Sequence, residues 1–83
     1  EHRFLAVVEG LPCVADYQLT GQVMHMTHTH VPAALEGRGI AAALVKAALG
    51  WARNEGLTVN PVCSYVAVYL RRHPEWADLQ ARA

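Results

Sequence analysis

Hydrophobic and polar residues alternate along the first 30 residues in a way that predicts three β-strands. An apolar, β-branched run over residues 3–8 ends at a turn signal over residues 9–12, which read Glu-Gly-Leu-Pro. A second run covers residues 13–19, and a Thr-Gly pair at residues 20–21 separates it from a third over residues 22–30. Short turns between successive strands are typical of an antiparallel meander. We therefore expect three strands that pair in sequence order.

The alternation within the third strand divides its side chains between two faces of the sheet. One set, with even numbers, is Met24, Met26, His28 and His30, and the other is Val23, His25, Thr27, Thr29 and Val31. Regular alternation places each set on one face. Because both sets mix apolar and polar side chains, the pattern leaves open which face is buried.

The second half of the chain changes to helical periodicity. Residues 38–54 place apolar side chains on one side at helical spacing, and Gly56 is positioned to end this helix with a left-handed cap. Residues 57–60 predict a short strand, and residues 63–72 predict a second helix that stops before Pro74. The order strand, strand, strand, helix, strand, helix predicts an α/β (α+β) domain in which helices cover a mixed sheet.

Length and composition narrow the class of protein. A chain of 83 residues with 53% hydrophobic residues predicts one small domain over residues 1–83 with a single core. Seven basic and seven acidic residues give no net charge, which argues against nucleic acid as a partner. The longest apolar run, residues 40–45, is far shorter than the ~20 residues that span a bilayer. We expect no membrane partner.

Two cysteines, Cys13 and Cys63, are too few and too distant to indicate a disulfide framework. No signal-peptide pattern is present in the sequence. A reducing, cytoplasmic location is the simplest expectation.

The segment from Val31 to Leu44 carries the strongest chemical signal. It runs from the end of a predicted strand through Gly37 and Gly39 into an apolar helix. Glycines let the backbone turn tightly and approach a ligand, and the first amides of a helix have no internal partner, so the segment suits a pyrophosphate. The spacing matches neither the P-loop nor the dinucleotide fingerprint. The residues also allow a second interpretation, in which the glycines only form a tight turn and the alanines pack closely.

Within this segment, Glu36-x-x-Gly39-x-Ala41 resembles the acetyl-CoA-binding motif of the GNAT acetyltransferase superfamily, written Gln/Arg-x-x-Gly-x-Gly/Ala. The wider resemblance, to the short single-domain GNAT-like family, covers residues 4–79. It is carried by His28-Thr29-x-Val31-Pro32, Gly37-x-Gly39-Ile40-Ala41, Pro61-x-Cys63-x-x-Val66 and Tyr69-Leu70-x-Arg72-His73-Pro74-Glu75-Trp76. Position 36 departs from the pattern, because Glu stands where the superfamily has Gln or Arg.

The resemblance implies a minimal GNAT-like fold: an antiparallel three-strand meander followed by helix, strand and helix, with a splayed mixed sheet. It also implies that the segments which usually enclose the acceptor are missing here, so that a partner subunit could supply them. A homodimer is the general default for such an assembly.

Acetyl-CoA, or coenzyme A, is the cofactor that the resemblance implies. Its pantetheine would pair with the backbone of the strand end, and its pyrophosphate would meet the first amides of the helix. The cofactor-binding residues predicted in this way are Thr29, His30, Val31, Gly37, Arg38, Gly39, Ile40, Ala41 and Ala42.

Three residues are candidates for catalysis. Cys63 lies near the predicted start of the second helix, where a thiolate is stabilised and could take the acetyl group; an inert buried cysteine is the alternative. Tyr69 falls where GNAT enzymes commonly place a tyrosine that protonates the leaving CoA thiolate, although it could instead only pack. His28 could accept a proton from the amine or be an ordinary strand histidine. His28 and His30 lack further ligands, so no metal site is predicted.

The predicted function is a small acetyl-CoA-dependent N-acetyltransferase that acts on an unknown amine, on a small molecule or a protein. Two alternatives are a CoA-binding module without catalysis and a protein interaction domain with a vestigial cleft. A basic cluster formed by Arg71, Arg72 and His73 suits the end of the second helix. The same cluster could meet an anionic acceptor or the phosphates of the cofactor, and the sequence alone does not decide between these roles.

Overall fold

A mixed four-stranded sheet forms the centre of the protein. The structure is a computed structural model that describes residues 2–81 of the chain. Strands β1, β2 and β3 pair antiparallel in sequence order, and β4 adds to β3 in parallel. The strands are β1 (His2–Val8), β2 (Leu11–Thr20), β3 (Val23–His30) and β4 (Thr58–Pro61).

Two helices follow the meander, so the predicted α+β class and the predicted order of elements are confirmed. Helix α1 (Ile40–Asn54) connects β3 to β4, and α2 (Ser64–Arg72) follows β4. Short 3₁₀ helices occupy Ala33–Leu35 and Pro74–Leu79. Neither α-helix of the described residues is long and apolar enough to cross a membrane.

Helix α1 begins two residues later than the periodicity predicts. The prediction placed the start of the helix at residue 38. In the structure, Gly39 is the N-cap residue of α1 and adopts a left-handed conformation with φ of 77°. A residue with positive φ cannot continue a right-handed helix, so helical geometry starts at Ile40. At the other end of α1, Gly56 has φ of 70°, which is the left-handed conformation expected of a cap.

Both helices pack on the same face of the sheet, which we call the helix face. Its buried strand residues are Cys13, Ala15, Met24, Met26 and Val59. They share one core with residues of α1 and α2, namely Leu44, Val45, Ala48, Leu49, Ala52, Val66, Tyr69 and Leu70. The hydrophobic core of the protein therefore lies on one side of the sheet.

The opposite face, which we call the open face, carries Leu5, Val7, Asp16, His28 and His30. Leu5 is 57% and Val7 is 64% exposed. Asp16 is the one buried charged residue among those described, and Nε of Arg3 on the neighbouring strand lies 2.9 Å from its carboxylate. This ion pair offsets the cost of burying the charge.

A β-bulge interrupts the pairing of β2 with β3. Tyr17 pairs with Met26, but the preceding residue, Asp16, pairs with His28. Thr27 is therefore an extra residue in β3, and its hydroxyl donates a hydrogen bond to the Asp16 carbonyl. An extra residue of this kind shifts the alternation of all the side chains beyond it.

The bulge separates residues that regular alternation places together. Met24 and Met26 are buried on the helix face, whereas His28 and His30 are exposed on the open face. The prediction that these four side chains share one face was wrong, because it assumed a strand without a bulge. Beyond the bulge, it is Thr29 that turns toward the helix face, opposite buried Ala15.

Candidate functional site

A cavity of about 370 Å³ opens where β3 ends and α1 begins. Its volume lies in the range that is typical of small-molecule sites. The lining residues are Thr29, Val31, Leu35, Glu36, Gly37, Gly39, Ile40, Ala41, Ala42 and Tyr65. The structure thus brings together seven of the nine predicted cofactor-binding residues, the two exceptions being His30 and Arg38.

The floor of this cavity is the start of α1. Gly37 and Gly39 have φ of 84° and 77°, and a Cβ atom built on either would meet nothing within 4 Å. The first bond of α1 runs from the Ala43 amide to the Gly39 carbonyl, so the amides before Ala43 have no acceptor within the helix. No acidic residue lies in the first turn of α1. Backbone donors and the positive end of the helix therefore favour an anionic ligand here.

Two charged side chains beside this floor do not supply a phosphate ligand. The guanidinium of Arg38 forms an exposed ion pair with Glu9 in the turn between β1 and β2. Both side chains of this pair are at least half exposed, so the interaction is weak, and Arg38 is not among the residues that line the cavity. Glu36 lines the cavity, and its carboxylate repels phosphate. Anion binding in this cavity rests on the backbone.

Strands β3 and β4 diverge next to the cavity. They pair only over residues 23–26 and 58–61, and residues 27–30 of β3 continue beyond β4. After Pro61 the chain turns toward α2, where the Cys63 amide donates a hydrogen bond to the Met26 carbonyl at 2.8 Å. The divergence leaves one edge of β3 without a strand partner in the described part of the chain. Such an edge can pair with the amides of an extended ligand.

Cys63 lies at this divergence, as the residue that caps the N-terminus of α2. Its Sγ is 3.7 Å from Oγ1 of Thr29, which lines the cavity. Burial acts to raise the pKa of the thiol, but hydrogen bonds from Val66, Thr29 and Tyr65 outweigh it and lower that pKa. A lowered pKa increases the fraction of thiolate, which is the nucleophilic form.

Tyr69 is buried in α2 and lines a second, smaller cavity rather than the first. Its ring stacks on His73 with the centroids 4.1 Å apart. Burial, followed by the negative charge of Glu75, raises the pKa of its hydroxyl. Tyr69 therefore keeps its proton at neutral pH, as a proton donor must.

His28 and His30 lie on the open face, away from the lining of the first cavity. Their rings are parallel within 11° with centroids 6.2 Å apart, so they point the same way, as expected. The described residues contain no group of three His, Cys, Asp or Glu side chains arranged to hold a metal ion.

Sequence reasoning missed three residues of the cavity lining: Leu35, Glu36 and Tyr65. Glu36 lies inside the motif, where it stands in place of the Gln or Arg of the superfamily pattern. Tyr65 comes one helical turn before Tyr69 and shares roughly its side of the helix, but this spacing does not indicate that the side faces α1. Leu35 is buried in a 3₁₀ helix that no sequence pattern had indicated.

Comparison with known proteins agrees with this architecture. The chain matches the family model described as GCN5-related N-acetyl-transferase over residues 3–79. It is 39% identical over 59 residues to the protein NATD1 of Gallus gallus, Mus musculus and Homo sapiens. These matches cover 70% of this chain and 52–54% of each relative, so the chain spans about half the length of the relatives it matches.

The family match covers nearly all of the described sheet and both helices. It includes Gly37 and Gly39, the place where β3 and β4 diverge, and Cys63. The resemblance seen in the sequence is confirmed, and the chain belongs to the GCN5-related N-acetyltransferase family.

Proposed function

We propose that this protein is a small N-acetyltransferase that transfers an acetyl group from acetyl-CoA to an amine. The observation that supports this most directly is the cavity at the start of α1. Its lining unites Thr29 and Val31 at the strand end with Gly37, Gly39 and the first residues of α1.

The chain's own residues fit the two polar parts of the proposed cofactor. Backbone amides of residues 39–42 would hold the pyrophosphate, because they lack helical acceptors and lie at the positive end of α1. The main chain of residues 29–31 would pair with the pantetheine amides at the free edge of β3. The small side chains of Ala41 and Ala42 leave room for the ligand.

Acetyl-CoA supplies the acetyl group as a thioester. In a direct transfer, the amine nitrogen bonds to the acetyl carbon while the carbon–sulfur bond breaks. The nitrogen loses one proton and the departing sulfur gains one. We assign the proton that the sulfur gains to Tyr69, whose raised pKa keeps its hydroxyl protonated. Tyr69 lines the second cavity, which shares Ala42 and Tyr65 with the first, so the sulfur would have to lie where the two cavities adjoin. A Tyr69→Phe variant with unchanged turnover would remove this residue from the mechanism.

Cys63 offers a two-step alternative to direct transfer. Its thiolate would attack the acetyl carbon and break the bond to the CoA sulfur, which leaves as a thiolate and gains a proton, so that an acetyl-cysteine forms. The amine would then attack the same carbon, lose one proton and release Cys63 as a thiolate. The lowered pKa of Cys63 and its contact with Thr29 support this route. His28 fits the role of general base less well, because it lies on the open face. A base at His28 would require the amine to approach from that face.

A CoA-binding module without catalysis is the second candidate. The observation that favours it is the exposure of the open face, where Leu5 and Val7 are more than half exposed. In the described part of the chain both helices lie on the other side of the sheet, so neither of them covers this face. Turnover of acetyl-CoA with an amine, measured as release of free thiol, separates this candidate from an enzyme.

The first experiment is calorimetric titration with acetyl-CoA and with CoA. We expect saturable binding that a Gly39→Glu variant abolishes, because the new side chain places bulk and negative charge in an open cavity. Gly21→Glu is the matched control: Gly21 also has a positive φ, 59°, and an open surrounding, but it lies in the β2–β3 turn. Binding that survives Gly39→Glu, or that Gly21→Glu abolishes equally, would contradict the proposed site.

Two further expectations belong to this proposal. The thiols of Cys13 and Cys63 are both free, which fits a reducing compartment such as the cytoplasm. A homodimer, in which a partner subunit helps to enclose the acceptor, stays a prediction whose test is the molar mass in solution.

A further inference from the structure

Strand β1 forms one edge of the sheet, and this edge is unprotected. In the described part of the chain β1 pairs with β2 alone, over its whole length and without a bulge. Residues 4–8 of the strand are all apolar. The guanidinium of Arg3 pairs with Asp16 on β2, so its charge is not directed to the edge. Charges, prolines and bulges are the devices by which sheet edges avoid pairing with other chains, and β1 directs none of them outward.

The opposite edge of the sheet, formed by β4, is protected in three ways. The strand has only four residues and ends in Pro61. Its Val59 forms a β-bridge with Gln80, and the Val59 carbonyl accepts a hydrogen bond from the Ala81 amide at 2.7 Å. A short strand, a proline and a covering segment each hinder pairing with another chain. The two edges therefore differ, and β1 is the edge at which we expect such pairing.

The turn between β1 and β2 determines which backbone groups of β1 reach the edge. It consists of residues 9–10, both of which have positive φ, as is typical of a type I′ hairpin turn. The residues that flank such a turn exchange hydrogen bonds, and bonded and non-bonded pairs alternate from there. Val8 and every second residue before it thus bond to β2. The N–H and C=O groups of Arg3, Leu5 and Val7 point outward.

We propose that β1 pairs antiparallel with β1 of a second copy of the chain, about a two-fold axis at Leu5. This register matches the strand His2–Val8 with itself, so that no residue of the strand is left unpaired. Leu5 lies opposite Leu5 of the second copy, and Arg3 lies opposite Val7. Each of these pairs joins residues with outward backbone groups and can exchange two hydrogen bonds. The sheet then continues through both copies.

The side chains of β1 complement those of a second copy in this register. Directly paired residues lie on the same face of a sheet. On the open face, Leu5 packs against its copy and Val7 packs against the aliphatic part of Arg3, which covers two side chains that are 57% and 64% exposed in the single chain. The charged residue nearest to Arg3 across the pairing is Glu9 of the second copy, two residues beyond Val7 and opposite in sign. A second copy therefore supplies the length, polarity and charge that this edge requires.

The size of the interface decides how tightly the two copies bind. A contact limited to one pair of seven-residue strands is small beside stable interfaces, which bury roughly 1,200 Å² or more. We therefore expect the chain to be a monomer in dilute solution and a dimer at high concentration. No residue of β1 lines either cavity, so this inference does not depend on the proposed function.

The first test is analytical ultracentrifugation from about 1 µM to about 1 mM protein, a range that covers weak association. For the unmodified chain we expect the average molar mass to rise toward twice its value in dilute solution. Leu5→Lys should keep the chain monomeric, because it places two like charges opposite each other at the two-fold axis. Gln18→Lys is the matched control: it adds the same charge at an exposed position of the open face, on β2, and should leave the association unchanged.

The second test examines the register by disulfide cross-linking under an added oxidant, in a Cys63→Ala background. Opposite residues in a hydrogen-bonded antiparallel pair have Cα atoms about 5.5 Å apart, within the range of a disulfide. Leu5→Cys should therefore give a covalent dimer. Val7→Cys is the control, because the two copies of Val7 lie four residues apart along the paired strands, at about 13 Å, and should not cross-link. The remaining thiol, Cys13, is fully buried.

Three outcomes would overturn the inference and leave the proposed function intact. An unmodified chain that stays monomeric up to about 1 mM would refute the dimer. A dimer that persists in Leu5→Lys, or that Gln18→Lys abolishes equally, would show that the copies do not meet at β1. Equal cross-linking of Leu5→Cys and Val7→Cys would refute the two-fold axis at Leu5. Thermal unfolding of each variant confirms that it is folded.

Discussion

Cys63 combines an accessible position with hydrogen bonds that stabilise its charged form. We expect iodoacetamide to alkylate Cys63 with a pH midpoint below that of an unperturbed cysteine thiol, because its pKa is lowered. Thr29→Val removes one hydrogen bond to the sulfur and should move the midpoint upward. The measurement is the alkylation rate against pH, followed by mass spectrometry.

Cys13 is the internal control for this experiment, because it is fully buried in the core of the native protein. A Cys63→Ala variant should therefore react slowly at every pH at which the protein stays folded. An unchanged midpoint in Thr29→Val would show that Thr29 does not stabilise the thiolate.

At the scale of single residues, the sequence predicted best those groups that act through the local backbone. Gly37 and Gly39 were predictable because both their conformation and the free amides that follow are local properties. Tyr65 was missed because it comes from α2, and only the packing of α2 against α1 brings it to the cavity. The ion pair that holds the Arg38 side chain depends on Glu9, 29 residues earlier in the chain. No local pattern indicates such a contact.

Helix α1 contains one glycine in its interior and is followed by another, and they should respond to alanine in opposite directions. Gly50 lies within α1, and a Cβ there meets nothing within 4 Å. Gly50→Ala should therefore stabilise the protein by up to about 1 kcal/mol. Gly56 has φ of 70°, so Gly56→Ala should destabilise it by about 1 kcal/mol or more. Urea unfolding measures both changes.

The two variants control for each other, because they make the same chemical change inside α1 and just beyond its end. Destabilisation by both would mean that Gly50 is required for close packing in α1. A stabilising Gly56→Ala would contradict the left-handed cap.

Strand β3 shows what alternation along an element cannot reveal. The strand itself was predicted, and it ends at His30 as expected. The bulge at Thr27 was not predictable, because it depends on the register between β2 and β3 rather than on β3 alone. Its consequence is large: Thr29 rather than His28 faces the cavity.

For the whole molecule, the one-sided core predicts an unequal response to the same substitution on the two faces. Leu49 is fully buried in α1, so Leu49→Ala should cost about 2–5 kcal/mol of the free energy of unfolding. Leu5 is 57% exposed on the open face, and Leu5→Ala should change that free energy by no more than about 0.5 kcal/mol. Chemical denaturation at a fixed protein concentration measures both.

A large loss of stability in Leu5→Ala would show that the open face is covered in solution. If that loss also depended on protein concentration, it would indicate a second copy of the chain.

The overall architecture was predictable because each strand and helix has a recognisable pattern in a short stretch of sequence. The turn signals at residues 9–12 and 20–21 indicate the meander, and the helical spacing of apolar residues over 38–54 indicates α1. The second cavity was not predictable, since it exists only between α1 and α2 once both have packed.

The position of the site between β3 and α2 has a consequence for how the protein opens and closes. The meander is held by contacts between neighbours in the chain, whereas β4 returns from a distance, pairs with four residues of β3, and receives one further bond from the Ala81 amide. The rest of its attachment is apolar packing, since Val59, Val66 and Leu70 are buried in the shared core. Any separation of this segment must therefore expose that part of the core. A ligand that touches both Thr29 and Tyr65 would act as a non-covalent cross-link across this boundary. Occupancy of the site would then control how often the last third of the chain separates from the meander.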